Sequence, residues 1–206
     1  ILVLGTARPA KIALYRRYRL TPTVSSLAEL KLWHEWANGE SEAQPIHLKV
    51  NTGMARLGLE LAEVGEALSL LRAPGSRLRL AGLLSHFAEA DDLASPRNDL
   101  QEERFRDLLA QLTEAERSGL LIHMANSAAT LHRPASRFHL GRLGLALYGI
   151  DPARAEPGMV PGLRPVMSVV ARIVQVREVP AGTPLSYGGR TVTRRPSRIA
   201  VVPVGY

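Results

Sequence analysis

The sequence contains no cysteine among its 206 residues, which excludes disulfide bridges and thiolate metal sites. Its six histidines do not follow the spacing of metal ligands, so we expect no bound metal. It also lacks the run of about 18 apolar residues that a transmembrane helix needs, and no signal peptide is visible. We expect a cytoplasmic protein without a membrane partner. Both ends have the pattern of strand interiors, which predicts a piece of a longer protein.

The charge balance is basic, with 26 basic and 19 acidic residues and a net charge of +7. Such a balance occurs in nucleic-acid-binding proteins. The arginines are spread along the chain, however, and the one dense group is formed by Arg190, Arg194, Arg195 and Arg198. A nucleic-acid-binding module would need clustered aromatic residues, and only ten residues are aromatic. We interpret the excess as solvated surface charge and expect no nucleic acid.

Short apolar runs alternate with amphipathic stretches over the first 150 residues. One stretch spans 62–72, and another carries Phe105, Leu108, Leu109 and Leu112 at helical spacing, with Gly119 as its stop. Alternating strands and helices predict a parallel sheet. Six strands without a glycine-rich dinucleotide turn favour part of a (β/α)₈ TIM-type barrel over a doubly wound sheet. The predicted strands are 1–5, 21–25, 46–51, 80–87, 120–124 and 143–148.

The composition changes after residue 150. Prolines and glycines crowd 151–165, as in a linker, and β-branched residues then alternate with polar ones over 167–179. Another apolar strand is predicted at 199–204. We assign 1–155 to the barrel, and 156–206 to a linker and the beginning of a truncated C-terminal β domain.

In a parallel α/β barrel, chemistry is carried by the carboxyl ends of the strands. Small polar or glycine-containing groups follow the predicted strands there, and together they are suited to bind an anion or phosphate. Arginine adds a planar fork for anionic groups. The candidates are Arg56, His86, Asn126, Ser127, Arg142, Gly144 and Leu145.

Each candidate also has a simpler interpretation. His86 fits a buried structural histidine, Asn126 and Ser127 fit a helix cap, and Arg142 fits a surface arginine. Lys49 is costly if it faces a barrel interior without a partner, and ordinary if it faces outward. Tyr187, in a Ser-Tyr-Gly-Gly turn, fits either a general acid or base or a tyrosine packed in a hairpin.

Taken together, the motifs resemble bacterial alanine racemases, which depend on pyridoxal phosphate. The most specific run is His-Leu-Lys-Val-Asn-Thr-Gly-Met-Ala-Arg-Leu-Gly at 47–58. Other matching blocks follow in the same order as in the family, and the match covers nearly the whole chain. These blocks are 3–5, 85–88, 123–129, 142–149 and 186–188.

The resemblance implies a barrel joined to a C-terminal β domain, a head-to-tail homodimer with shared active sites, and interconversion of L- and D-alanine by two bases. D-alanine then supplies peptidoglycan synthesis. Two alternatives use the same fold: a broad-specificity or serine racemase, and a non-catalytic barrel that binds pyridoxal phosphate. The second alternative predicts no β domain, and the segment after Pro165 argues against it.

The resemblance also implies roles for single residues. Tyr187 matches the catalytic tyrosine, which acts at the partner subunit's site, and the cofactor lysine is expected upstream of residue 1. The chain alone is therefore expected to be inactive. Arg142 matches the arginine that faces the pyridine nitrogen, His123 the residue that steadies this arginine, and His86 the histidine beside the ring.

The remaining matched residues surround the cofactor. Arg56 corresponds to the arginine that reaches the cofactor hydroxyl and the substrate carboxylate, and Leu4 to an apolar residue near the ring. Lys49 corresponds to a lysine that is carbamylated in some members and orients this arginine. Asn126, Ser127, Gly144 and Leu145 match phosphate-side positions, Tyr206 is expected to lie behind the cofactor-contacting residues with Lys49 and His123, and Asn51 replaces the more usual aspartate.

Overall fold

The computed structural model describes residues 1–7, 9–153 and 162–205. They fall into two units, Ile1–Val166 and Met167–Tyr206. The boundary expected between residues 155 and 156 lies outside the described residues, and so does Tyr206.

The first unit is built on five strands that lie side by side in chain order, and every pairing is parallel. Such a sheet, with helices between its strands, is a curled half-barrel and confirms the predicted partial (β/α)₈ fold. The strands are β1 (Leu2–Val3), β2 (Thr21–Val24), β3 (Gln44–Lys49), β4 (Leu78–Leu84) and β5 (Leu121–His123). The helices are α1 (Ile12–Arg17), α2 (Leu27–Ala37), α3 (Val64–Arg72), α4 (Pro96–Ala110), α5 (Glu114–Ser118) and α6 (Ser127–His132).

Local sequence signals explain where the helices begin. The Ser26 side chain accepts a hydrogen bond from the Glu29 N–H and so caps α2, and Ser95 caps α4 in front of Pro96. The predicted apolar stripe at 105–112 is buried against the sheet, as expected. Gly119 ends the short helix α5 rather than α4, because the chain turns once between them.

The predicted sixth strand at 143–148 is wrong. This segment forms a 3₁₀ turn over Leu145–Tyr148, and Gly149 ends it in the left-handed conformation. The backbone N–H groups of Gly144 and Ala146 both donate to the Ser127 hydroxyl oxygen, so they are not available to a neighbouring strand. The apolar run therefore forms a loop around Ser127, and Leu147 is largely exposed.

The second unit contains two antiparallel pairs. Strand β6 (Gln175–Val179) pairs with β9 (Ser197–Val201), and β7 (Pro184–Leu185) pairs with β8 (Thr191–Val192). This agrees with the predicted beginning of a β domain. Across the described parts of both units, no helix combines the length and the apolar character that a membrane span requires.

Candidate active site

The carboxyl ends of β3, β4 and β5 bring most of the expected site residues together. Lys49 is the last residue of β3, His86 lies two residues beyond β4, and His123 ends β5. The backbone N–H of Arg142 donates to the Ala125 carbonyl at 2.9 Å, which anchors the arginine beside the end of β5. Because parallel strands end at one edge of the sheet, residues far apart in sequence converge there.

The Arg142 guanidinium is the centre of this site. Its Nη1 donates to His123 Nδ1 at 2.6 Å, and its Nη2 lies 3.0 Å from His86 Nδ1. Nη2 also donates to the carbonyls of Ser85 at 2.7 Å and Met124 at 3.1 Å. Four acceptors therefore surround the guanidinium, and the two hydrogens of Nη2 are shared among three of them. This excludes the simpler interpretation of Arg142 as a free surface arginine.

These bonds determine where the histidine protons are. Arginine only donates, so both Nδ1 atoms that face Arg142 accept and carry no hydrogen. Burial lowers the pKa of His86 to about 4, assisted by the positive charges of Arg142, Arg56 and Lys49. Burial likewise lowers the pKa of His123 to about 3. Both rings are therefore neutral at physiological pH, with the hydrogen on Nε2.

A cavity of about 360 Å³ lies beside this network. The Ser127 oxygen accepts hydrogen bonds from Gly144 N at 2.9 Å and from Ala146 N at 3.3 Å. Because both bonds use the oxygen as acceptor, the hydroxyl hydrogen remains available to a ligand. Asp91, Ala128 and Pro152 line the cavity together with six expected site residues. The six are His86, Asn126, Ser127, Arg142, Gly144 and Leu145.

Asn126 has two functions in the structure. Its side-chain oxygen accepts a hydrogen bond from Ala129 N at 3.0 Å and caps α6, as the simpler interpretation of this residue predicted. It also lines the cavity, where its amide nitrogen is a further donor. Capping therefore does not exclude Asn126 from ligand binding.

Lys49 is almost completely buried at the end of β3. Burial lowers the pKa of its amine, and the charges of Arg56 and Arg142 lower it further. Within the described ranges, no carboxylate lies in ion-pair distance of Lys49, Arg56 or Arg142. The outward-facing interpretation of Lys49 is therefore wrong. The three residues form a cluster of cations in which Lys49 is buried, Arg142 is partly buried and Arg56 is exposed.

Of the expected residues in the first unit, Leu4, Lys49, Arg56 and His123 are not part of the cavity lining. Leu4 directly follows β1 and is half exposed. Tyr187 belongs to the second unit, where it opens a short 3₁₀ turn after β7. Its side chain is 89% exposed, so it is not a tyrosine packed within a hairpin.

A buried polar ladder beside the site was missed by sequence reasoning. Gln101 on α4 donates to the His86 carbonyl at 3.0 Å and to Thr52 Oγ1 at 3.3 Å, and it accepts from Ala88 N at 2.9 Å. Thr52 in turn lies 2.8 Å from the Ser85 hydroxyl. The ladder joins the loops after β3 and β4. Its sequence signal is a glutamine four residues before Phe105, in line with the apolar stripe of α4.

The structure explains the replacement of aspartate by Asn51. Its side-chain oxygen accepts from the N–H groups of Gly53 and Ala55 at 3.1 and 2.9 Å, and its amide donates to Glu60 Oε1 at 2.7 Å. An aspartate would form the same turn but would place a second carboxylate against Glu60. Asparagine at this position therefore forms the turn through its oxygen and also bonds to Glu60.

A larger cleft of about 550 Å³, lined by residues of α4, the end of α6 and the following turn, differs from the site in its charges. There Glu102 lies 2.7 Å from Arg106 and 3.3 Å from Arg133, and His132 lies 2.8 Å from Asp151. The two arginines of this cleft are thus paired with carboxylates, whereas no carboxylate in the described ranges pairs with Arg142.

Two family models match the chain. The alanine racemase N-terminal domain matches residues 1–152, and the alanine racemase C-terminal domain matches residues 166–206.

Curated relatives carry the same name. The alanine racemases of Synechocystis sp. and Syntrophobacter fumaroxidans are each 38% identical to this chain over its whole length. The match covers 55% of the first relative and 54% of the second, so the chain spans about half the length of the curated relatives.

Solved structures give the same result. The biosynthetic alanine racemase of Pseudomonas aeruginosa matches with a TM-score of 0.84 and 32% identity, over 100% of this chain and 55% of its own. The Bartonella henselae alanine racemase, solved with covalently bound pyridoxal phosphate, matches with a TM-score of 0.76 and 27% identity over the same shares.

Proposed function

Because the chain belongs to the alanine racemase family, we propose that it forms the central, cofactor-binding section of a pyridoxal-phosphate-dependent racemase that interconverts L- and D-alanine. The observation that carries the proposal is the convergence of six family-matched residues on one cavity beside Arg142. A cytoplasmic homodimer and the supply of D-alanine to peptidoglycan follow from the family resemblance and belong to the same proposal.

The cavity fits the phosphate of the cofactor. The Ser127 hydroxyl keeps its hydrogen for a ligand, and the Asn126 amide lies in the same lining. Hydrogen-bond donors close to the cations of the site suit a dianionic phosphate. We therefore assign Asn126, Ser127, Gly144 and Leu145 to the phosphate side.

Arg142 fits the pyridine nitrogen. Burial lowers the pKa of its guanidinium to about 10, so it stays protonated at neutral pH. It therefore donates a hydrogen bond to an acceptor nitrogen and keeps its own proton. When bound, the cofactor acidifies the α-hydrogen of the amino acid joined to it. An arginine that retains its proton limits how much charge the ring takes up, which disfavours side reactions.

Racemisation needs one proton-transferring group on each face of the α-carbon. We assign one face to Tyr187 of the partner subunit and the other to the cofactor lysine of the family. The chain has three lysines: Lys11, at the start of α1; Lys31, which pairs with Glu66 at 2.9 Å on the surface; and Lys49, which the family resemblance gives another role. None of them takes the place of the cofactor lysine, so we propose that this chain alone is inactive.

Arg56 and Lys49 complete the substrate side. Arg56 is exposed and has a planar fork for the substrate carboxylate. Lys49 is buried close to the cations Arg56 and Arg142, and the lowered pKa of its amine increases the fraction of the neutral form, which is the form that reacts with carbon dioxide. A carbamate at Lys49 would supply the negative charge that the described neighbours of Arg56 do not provide.

The test is Tyr187→Phe in the complete protein that contains this chain, loaded with pyridoxal phosphate. Loss of one of two bases should slow racemisation about 10²- to 10⁴-fold. The rates from L- and D-alanine must fall together, since the enantiomers have equal free energies. Exchange of the α-hydrogen with deuterated water, followed by NMR, should persist for one enantiomer only, because one base remains.

The matched control is Tyr18→Phe, which removes an exposed hydroxyl at the end of α1 and should change neither rate. Unchanged racemisation in Tyr187→Phe, or equal loss of exchange for both enantiomers, would contradict the assignment of Tyr187. A wild-type protein that binds the cofactor but does not racemise alanine would contradict the proposed function itself.

A further inference from the structure

His47 is a buried histidine that no role proposed above uses. It lies in β3, between β2 and β4, and its side chain is 4% exposed. Its imidazole lies against the β4 backbone at Gly82, its partner in the sheet register. A methyl group on Gly82 would approach the ring to 2.3 Å at Cε1 and 2.4 Å at Nδ1. The ring therefore occupies space that only a glycine at position 82 leaves open.

By crossing β4 at this glycine, His47 reaches the next strand. Its Nδ1 lies 2.9 Å from Nε2 of His123 on β5, and the two ring centroids are 5.1 Å apart. The His123 ring is completely buried and lies between two partners, His47 on one side and Arg142 on the other.

The direction of each bond in this chain is fixed by its far end. Arg142 can only donate, so His123 Nδ1 accepts and the neutral His123 ring carries its hydrogen on Nε2. This hydrogen points at His47 Nδ1, which must then accept. A hydrogen on His47 Nδ1 would place two donors face to face. The alternative His123 tautomer would do the same at Arg142.

We propose that His47 is a positioning residue of the site: it accepts the hydrogen bond of His123 Nε2, and it thereby fixes the tautomer and ring orientation through which His123 holds Arg142. Its importance for cofactor binding and catalysis rests on the function proposed above. Its effect on the tautomer of His123 is a property of this chain and does not depend on that function.

Loss of the His47 acceptor has a defined consequence. The His123 Nε2–H would be left buried without a partner, which costs about 1–3 kcal/mol. The ring relieves this cost by rotation or by a change of tautomer, and either change disturbs its bond to Arg142. The Arg142 Nη2 bonds to Ser85 and Met124 remain, so the guanidinium is loosened and not released.

The first experiment is ¹⁵N NMR of the histidine side chains in the complete, cofactor-free protein at neutral pH, with each histidine assigned by substitution. We expect His47, His86 and His123 to show a protonated Nε2 and an unprotonated Nδ1. In His47→Leu, the His123 signals should change to those of mixed tautomers. His47→Asn places an amide oxygen close to the position of Nδ1 and should restore the single tautomer.

The second experiment measures pyridoxal phosphate affinity by absorbance titration, together with the kinetics of the loaded enzyme. We expect His47→Leu to raise the Kd for pyridoxal phosphate about tenfold and to lower kcat about tenfold. Each change is the size that loss of a typical buried hydrogen bond would cause. KM should change less than twofold, and His47→Asn should recover most of both losses. The control is Thr23→Val. Thr23 is buried and in register with His47, and its hydroxyl has no hydrogen-bond partner. This variant should change neither cofactor affinity nor kcat.

Several results would overturn the proposal. A wild-type His47 with a protonated Nδ1 would do so whether or not any variant folds. A His123 tautomer unchanged in His47→Leu would do so as well, and so would equal losses in His47→Leu and His47→Asn. If the tautomers behave as expected but the wild-type protein racemises no amino acid, the positioning role stands and the proposed function fails.

Discussion

Replacement of Gly82 by alanine is the sharpest test of how the sheet supports the site. The added Cβ would lie 2.3, 2.4 and 2.7 Å from three atoms of the His47 ring, where ordinary contacts begin at 3.4 Å. The β4 backbone cannot move aside, because it pairs with β3 on one side and with β5 on the other. The ring must therefore leave its position, and its bond to His123 breaks.

The magnitude of the loss follows from two contributions. Overpacking in a filled interior costs about 1–3 kcal/mol. A buried hydrogen-bond donor left without an acceptor costs about 1–3 kcal/mol. Because displacement of the ring relieves part of the overpacking, we expect the free energy of unfolding to fall by about 2–4 kcal/mol. That corresponds to a decrease in Tm of roughly 5–15 °C for a domain of this size.

The assay is thermal unfolding of the complete, cofactor-free protein at one fixed concentration, since oligomerisation and ligands shift Tm. Gly65→Ala is the matched control, because Gly65 lies in α3 with nothing within 4 Å of the added methyl group. It should stabilise the helix by about 0.5–1 kcal/mol. In a His47→Ala background, Gly82→Ala should cost little more, because the obstructing ring is gone. A Tm for Gly82→Ala equal to that of the wild type, or costs that simply add in the double variant, would refute the reasoning.

Two further predictions concern the same region. Burial lowers the pKa of His47 and His86 to about 4 and that of His123 to about 3, so between about pH 6.5 and pH 4 the unfolded chain binds more protons than the folded chain. The free energy of unfolding should therefore fall as the pH falls through this window, and Tm measured at half-unit pH steps should show it; a flat profile would contradict the neutral rings. Gln101→Met should lower the free energy of unfolding by about 2–3 kcal/mol and weaken cofactor binding, because the loop that carries His86 loses its bonds to α4. Gln111→Met, at the exposed end of α4, should change neither quantity. Equal effects of the two substitutions would disprove the bridging role of Gln101.

The strands and the long helices could be predicted because their signals are local. Apolar runs of five to eight residues and a helical stripe such as 105–112 reflect burial on one face. The run at 143–148 is equally apolar, and its conformation depends instead on the Ser127 hydroxyl. That oxygen lies 17 residues away in the sequence, so no pattern within the run reveals that its backbone N–H groups are already bonded.

The site could be predicted as a set of residues but not as a network. Motif resemblance assigned a role to Arg142, and its four acceptors depend on how β4 and β5 align. The bond between His47 and His123 spans 76 residues of sequence and crosses an intervening strand. It exists because the register places Gly82 under the ring, which is a property of the assembled sheet.

The charges of the site give one more argument about its ligand. A buried cation without a counter-charge costs several kcal/mol, and proteins normally pair it, as the cleft beside α4 does with Glu102. In the described part of the chain, Lys49 and Arg142 have no such carboxylate, and the two histidine rings that contact Arg142, His86 and His123, are held neutral. Neutral histidines minimise the repulsion without removing the positive potential. A site built this way is stabilised by an anionic ligand, and a dianionic phosphate together with a substrate carboxylate would satisfy it better than any neutral molecule.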